Sequence, residues 1–264
     1  MKQRVITAVV ALIIFIPIIL AGGIWIDIAA AVLGIVAISE ILVMKKKLLI
    51  SPEAIISYIG GVLSIIAPES WINILPAHAS QFFLFYILVM LLLLYTVFSK
   101  NRFSFDDAGV LTLGMLYIGI GFHYFLTARH VGLTMLLYAL FIVWTTDSGA
   151  YIFGRMFGKH KLAPPHVSPN KTWEGSIYGS LFGTIICSIW AWFFPIPGFS
   201  GILMVLVTLC LSIVGQFGDL VESSLKRYYG VKDSGKILPG HGGILDRFDS
   251  LLFVLPTLHL LGII

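Results

Sequence analysis

The chain has 264 residues, of which 58% are hydrophobic and only 11% charged, with a net charge of +4 and a mean hydropathy of +0.99. A soluble domain carries roughly 25% charged residues, so polar side chains are too few to cover a water-facing surface, and intrinsic disorder is excluded by the same balance. The only 2 cysteines, Cys187 and Cys210, lie in apolar runs, which excludes a disulfide scaffold.

What remains is an all-α polytopic membrane protein. A helix needs about 20 apolar residues to cross the hydrocarbon layer, and about nine candidate spans follow along the chain. They are Val5–Leu20, Ile24–Met44, Ala54–Ile66, Phe82–Phe98, Ala108–Thr127, Leu133–Phe153, Gly175–Phe194, Ile202–Val221 and Ser250–Ile264. These runs are continuously apolar and lack the period-two alternation of a membrane barrel. Met1–Arg4, the first apolar run and Ala21-Gly22-Gly23 resemble a signal peptide, but a second run after so short a turn predicts a retained helical hairpin.

With the N-terminus cytoplasmic, every one of the 17 Lys and Arg residues except Arg129 falls in an inside segment. Positively charged loops resist translocation, so this asymmetry orients the protein and places its C-terminus outside. Residues 1–98 read as scaffold helices, with Lys45–Lys47 as a topology determinant and Ala67–Ser80 as an interfacial loop. Residues 99–264 read as the catalytic region, with cytoplasmic loops 154–174 and 222–249. Asp106 and Asp107 predict a helix N-terminus, as does Glu174. His123, His130 and His259 lack metal-ligand spacing, while Asp27 and Glu40 have no assigned role.

The second loop carries the strongest signal. On a helix, Asp219 and Glu222 share a face, as do Asp246 and Asp249. The first pair closes one span and the second opens the next, so carboxylates converge near the cytoplasmic mouth. Oxygen-rich sites suit Mg²⁺, which uses one or two carboxylates plus substrate phosphates. Neighbouring Lys and Arg neutralise phosphate charge, and glycines admit close backbone approach. Together these groups point to phosphoryl or nucleotidyl transfer, without the Walker pattern of a P-loop enzyme. The bland alternatives are a solvated loop, an ordinary Glu222–Lys226 helix pair and a helix cap at Asp246 and Arg247. Against them, an unpaired Asp219 at the end of an apolar span is costly. Asp147, inside the sixth span, reads by the same rule as a metal-site or neighbouring residue, with burial against a hydroxyl as the alternative.

This loop resembles the signature of the CDP-diacylglycerol synthases (phosphatidate cytidylyltransferases). Ser223, Leu225, Lys226 and Arg227 match its start; Lys232, Asp233 and Gly235 its middle. Leu238, Pro239, His241, Gly242, Gly243, Ile244, Asp246, Arg247, Phe248 and Asp249 complete it without departure. The stretches Thr145–Tyr151 and Ser168–Gly175 resemble the same family, so motifs cover roughly 145–249 and hydropathy the rest.

The resemblance implies attack of a phosphatidic acid phosphate on the α-phosphorus of CTP, giving CDP-diacylglycerol and pyrophosphate. It implies Mg²⁺, with a second cation, held by Asp219 and Asp246, then Asp249 and Asp147. Lys226, Arg227, Lys232 and Arg247 would contact phosphates, and Ser168, Asn170 and Lys171 substrate, with an ordinary turn before a helix as the alternative for Ser168-Pro169-Asn170. His241, Gly242 and Gly243 would shape the triphosphate pocket. It further implies a homodimer in the bacterial plasma membrane, its site facing the cytoplasm, with no nucleic-acid partner. Two rivals are a CTP-dependent polyprenol or phytol kinase, which would release CDP, and a secondary transporter. The latter should bind near mid-bilayer, whereas these charges collect at one face.

Overall fold

The computed structural model describes residues 2–66, 80–100, 102–164, 166–196 and 201–264, without the side chains of Lys2 and Arg4. The expected interfacial loop at 67–79 lies outside the described residues. Among the described residues ten helices follow in order: α1 (Lys2–Ala21), α2 (Gly23–Met44), α3 (Pro52–Ile65), α4 (Gln81–Phe98), α5 (Phe105–Val131), α6 (Leu133–Phe157), α7 (Trp173–Phe193), α8 (Gly201–Tyr228), α9 (Leu245–Phe248) and α10 (Leu251–Leu260). Among the described residues there is no β-strand, and isolated bridges join Lys161 to Thr172 and Leu238 to Gly242. Among the same residues six helices, α2 and α4 to α8, are long and apolar enough to cross a membrane, and three shorter ones are also apolar. A helix satisfies its own backbone in lipid, and the chain is an all-α multi-pass membrane protein.

Local chemistry sets the breaks. Gly22 and Gly23 have φ of 62° and 53°, a positive-φ backbone that breaks α1 from α2 and that glycine adopts readily. Ser51 caps α3 by accepting from the Ala54 amide at 3.3 Å, with Pro52 at the first turn. Ser104 and Asp107 cap α5 reciprocally: the Asp107 amide donates to the Ser104 hydroxyl at 3.1 Å and the Ser104 amide to the Asp107 carboxylate at 3.0 Å. Helices α6 and α8 continue beyond their apolar stretches to Phe157 and Tyr228, so Asp219, Glu222 and Lys226 are helical. The last expected span, Ser250–Ile264, is helical only over Leu251–Leu260. It closes in a turn at Gly262, whose φ is 70°. Such a helix is about 15 Å long, short of the hydrocarbon thickness.

The chain divides into two compact units, Met1–Leu126 with Ser234–Leu245, and Thr127–Asp233 with Asp246–Ile264. In the first, small residues let α2 and α3 close together, since a Cβ on Gly34 would strike Ile65 and one on Gly61 would strike Ile38. Lys45 and Lys47 of this unit pair with Asp107 at 2.8 and 2.6 Å.

In the second unit, hydroxyls tie α6 to α8. Tyr138 meets Thr208 and Thr146 meets Ser212, each at 2.7 Å and buried. Gly175, Gly179 and Gly183 recur every fourth residue along α7 and pack against α6. This is the small-residue spacing by which membrane helices bring their backbones together.

Candidate active site

The second unit encloses a cavity of about 630 Å³, a size typical of small-molecule sites. Helix α6 contributes Asp147, Tyr151 and Arg155, one turn apart on a single face. Helix α8 contributes Gln216, Asp219 and Lys226, and the segment around α9 adds Asp246, Arg247 and Asp249. Asn170 and Lys171 enter from the link between α6 and α7, and Asp233 from the link after α8.

The α6–α7 link is tightly pinned. The Leu162 amide donates to the Lys171 carbonyl at 3.0 Å and the Trp173 amide to the His160 carbonyl at 2.9 Å. The Glu174 carboxylate accepts from the Lys159 and His160 amides at 3.0 and 3.2 Å. Thr172, not Glu174, caps α7 with its hydroxyl, 3.2 Å from the Gly175 amide. Glu174 instead anchors the link, and that anchoring presents Asn170 and Lys171 to the cavity.

The carboxylates are matched by lysines. Lys171 Nζ lies 2.6 Å from Asp219. Lys226 Nζ bridges Asp246 at 2.6 Å and Glu222 at 2.5 Å. The helix pair of Glu222 with Lys226 is therefore present, beside a space lined by Asp219, Asp246 and Asp249. The Glu222 side chain is fully buried and Asp246 is 5% exposed. Without such partners, groups so placed would be costly. Burial, followed by the charges of Asp219 and Asp147, holds the Asp249 carboxyl well above the ordinary carboxylate range.

Among the described residues no three His, Cys, Asp or Glu side chains form a ready-made metal cage. That is compatible with Mg²⁺, which keeps waters and binds through one or two carboxylates plus substrate phosphates. The cavity fits such an ion because Asp147, Asp219, Asp246 and Asp249 all line it.

Of the residues singled out in the sequence, these four acids, Lys171, Lys226, Asn170 and Arg247 are brought together around this space. Ser168, Arg227 and Lys232 are not among its lining residues. The Ser168 amide closes a turn onto Pro164, and the Arg227 guanidinium donates to the Val231 carbonyl at 2.9 Å. His241, Gly242 and Gly243 belong to the first unit. Tyr151, Arg155 and Gln216 were missed by sequence reasoning. Their signal was helical spacing: four and eight residues after Asp147, and three before Asp219.

The chain matches the Cytidylyltransferase family over residues 2–264. It is 50% identical over 264 residues to a protein of Staphylococcus haemolyticus (strain JCSC1435) named phosphatidate cytidylyltransferase, covering 99% of this chain and 98% of that one. A protein of the same name from Staphylococcus aureus (strain COL) is 47% identical over 263 residues, with the same coverage of both chains. Another, from Staphylococcus epidermidis (strain ATCC 35984 / DSM 28319 / BCRC 17069 / CCUG 31568 / BM 3577 / RP62A), is 46% identical over 267 residues, again covering 99% and 98%.

Proposed function

The chain belongs to the Cytidylyltransferase family, and from that premise we propose that its cavity joins CTP to phosphatidate, forming CDP-diacylglycerol and pyrophosphate. A lipid phosphate oxygen forms a bond to the α-phosphorus of CTP while the bond from that phosphorus to the bridging oxygen breaks. Pyrophosphate leaves with the electron pair. The nucleophile is already an anion, so no strong general base is required. Positioning and charge neutralisation supply the rate.

The observation that carries this reading is the cavity itself, where acids and bases alternate around one space of substrate size. Asp219 and Asp246 would hold Mg²⁺, with Asp249 and Asp147 beside them and a second cation as a further element. Bound there, the ion would neutralise phosphate oxygens and stabilise the leaving pyrophosphate. Lys171, Lys226 and Arg247 would turn to phosphate oxygens, and Asn170 to substrate. Arg227 and Lys232 would add positive charge from the loop after α8, and Ser168 a substrate contact from the α6–α7 link. The basic residues of 154–174 and 222–249 orient the site toward the cytoplasm, where CTP is dissolved, with phosphatidate supplied from the bacterial cell membrane. A homodimer accompanies this reading through the family resemblance, and sedimentation of the purified protein tests it.

The test incubates purified protein with CTP, phosphatidate and Mg²⁺ and looks for CDP-diacylglycerol and pyrophosphate together. Release of CDP instead would mark a kinase and overturn the reaction. Asp219→Asn and Asp246→Asn proteins should insert normally and lose nearly all turnover. Wild-type-like turnover in either would remove that residue from the metal site.

A further inference from the structure

Glu40 lies in the last turns of an apolar helix, α2, yet the residue is only 4% exposed and its carboxylate is fully engaged. One oxygen accepts from the Ile244 amide at 2.6 Å. The other accepts from the Leu245 amide at 2.9 Å and from the Ser234 hydroxyl at 2.7 Å. All three donors belong to the signature loop, about two hundred residues away in sequence. Two glycines of that loop exist to admit the carboxylate. A Cβ on Gly235 would lie 2.7 Å from a Glu40 oxygen, and one on Gly243 would strike both the Glu40 carboxyl and the Ser234 hydroxyl.

A buried carboxylate accepting backbone amides forms strong, charge-assisted hydrogen bonds. It also fixes what is covalently attached to those amides. Leu245 is the first residue of α9, and Asp246 is the second. We propose that Glu40 is the positioning residue of the signature loop, a carboxylate that sets where Ile244 and Leu245 lie and hence how the chain delivers Asp246. Glu40 touches no substrate; it acts through the loop. On this view Ser234, Gly235 and Gly243 are a receptacle for Glu40, and this assignment deepens the proposed transferase function.

The purified full-length protein carrying Glu40→Gln tests it. Glutamine keeps the size but replaces one acceptor oxygen by a donor, so one loop amide loses its partner. Losing a charged acceptor for buried amides should speed hydrogen exchange at Ile244 and Leu245 about tenfold or more. Misplacing a reacting group by ~1 Å should lower kcat by ~10²-fold, while KM for CTP stays near wild type and the Mg²⁺ needed for half-maximal activity rises. Glu40→Asp, which keeps the charge but shortens the reach, should not restore kcat. Ser234→Ala, which removes only one donor, should fall between wild type and Glu40→Gln.

Unchanged exchange at Ile244 and Leu245 would overturn the proposal. So would a loss of activity that merely follows the folded fraction and leaves kcat per folded molecule intact. If Glu40→Gln does not insert, Ser234→Ala decides: it must speed exchange across 234–245 and lower kcat, and failure in either respect overturns the role. Hydrogen exchange does not depend on turnover, so a wild-type protein that released CDP would defeat the proposed reaction and leave the Glu40 result standing on its own.

Discussion

Gly179 is the point at which a single methyl group should most clearly uncouple folding from catalysis. Its Cβ would sit 2.6 Å from the Ala150 amide nitrogen, 2.7 Å from its Cα and 2.8 Å from its Cβ. Ordinary contacts between such atoms need roughly 3.5–4.0 Å, and two of the three neighbours are backbone. Gly179→Ala must therefore push α6 and α7 apart by about 1 Å locally. Overpacking of this kind costs about 1–3 kcal/mol, offset by up to about 1 kcal/mol from the better helix propensity of alanine. The net change should leave an inserted protein with a slightly lower melting temperature. Catalysis should suffer more, because α6 carries Asp147 and Tyr151 while the link into α7 carries Lys171. A misplacement of ~1 Å is worth ~10²-fold in rate, or about 2.7 kcal/mol of barrier. Pyrophosphate release by purified protein measures it, with Gly132→Ala as the control, since nothing lies within 4 Å of a Cβ there. Turnover of Gly179→Ala within about twofold of wild type would refute the reasoning, because a shift of that size could not then separate catalytic groups.

The raised Asp249 carboxyl gives a signed pH dependence. Its metal-free native state keeps a proton that the unfolded chain has already lost, so folding is increasingly penalised as pH rises above the ordinary carboxylate range of about 4. Melting temperature in chelator should fall over that window, Mg²⁺ should reverse the fall, and Asp249→Asn should flatten it; a rise in chelated wild type would contradict the sign. The Lys171 and Asp219 side chains are 26% and 32% exposed, but the Lys171 ammonium itself is buried, so removing it leaves a partly buried carboxylate unmatched. Lys171→Met should therefore lower the melting temperature and also lower turnover per folded molecule about tenfold or more, and unchanged turnover would withdraw its phosphate role.

Much of this site was legible because membrane proteins place charge sparingly. Asp219, Asp246 and Asp249 stood out as acids at the ends of apolar runs, and they do line one cavity. Asp147 stood out as an acid inside a span. Glu40 shared that feature, yet its partners lie in a loop remote in sequence. No local pattern reveals such pairing. The glycines of α7 were visible at their four-residue spacing, but spacing alone does not say which helix comes close. Within the signature, His241, Gly242 and Gly243 were read only against a nucleotide. Gly243 in fact lies against Glu40 and Ser234, a packing duty that the motif shares with any catalytic one. Glu174 does mark the first turn of α7, but its side chain also reaches back to the Lys159 and His160 amides, which a helix-start pattern does not reveal.

The pairing of lysines with acids bears on the cation proposed for this reaction. Asp147, Asp219, Asp233, Asp246 and Asp249 line the cavity together with Arg155, Lys171, Lys226 and Arg247. The bases thus come close to balancing the acids before any substrate arrives, which suits a cavity set beside a low-dielectric bilayer. CTP and phosphatidate each bring further negative charge into that space. If the lysines stayed on Asp219 and Asp246, the phosphates would enter uncompensated. If the lysines turned to the phosphates, the aspartates would be left bare. Neither outcome is tolerable in a half-buried site, so the balance closes only when positive charge enters with the nucleotide. A divalent cation held by the released carboxylates would meet that need and would free Lys171 and Lys226 for the phosphate oxygens. The same bookkeeping predicts that CTP binding and cation binding reinforce each other, each raising the affinity for the other by an equal factor.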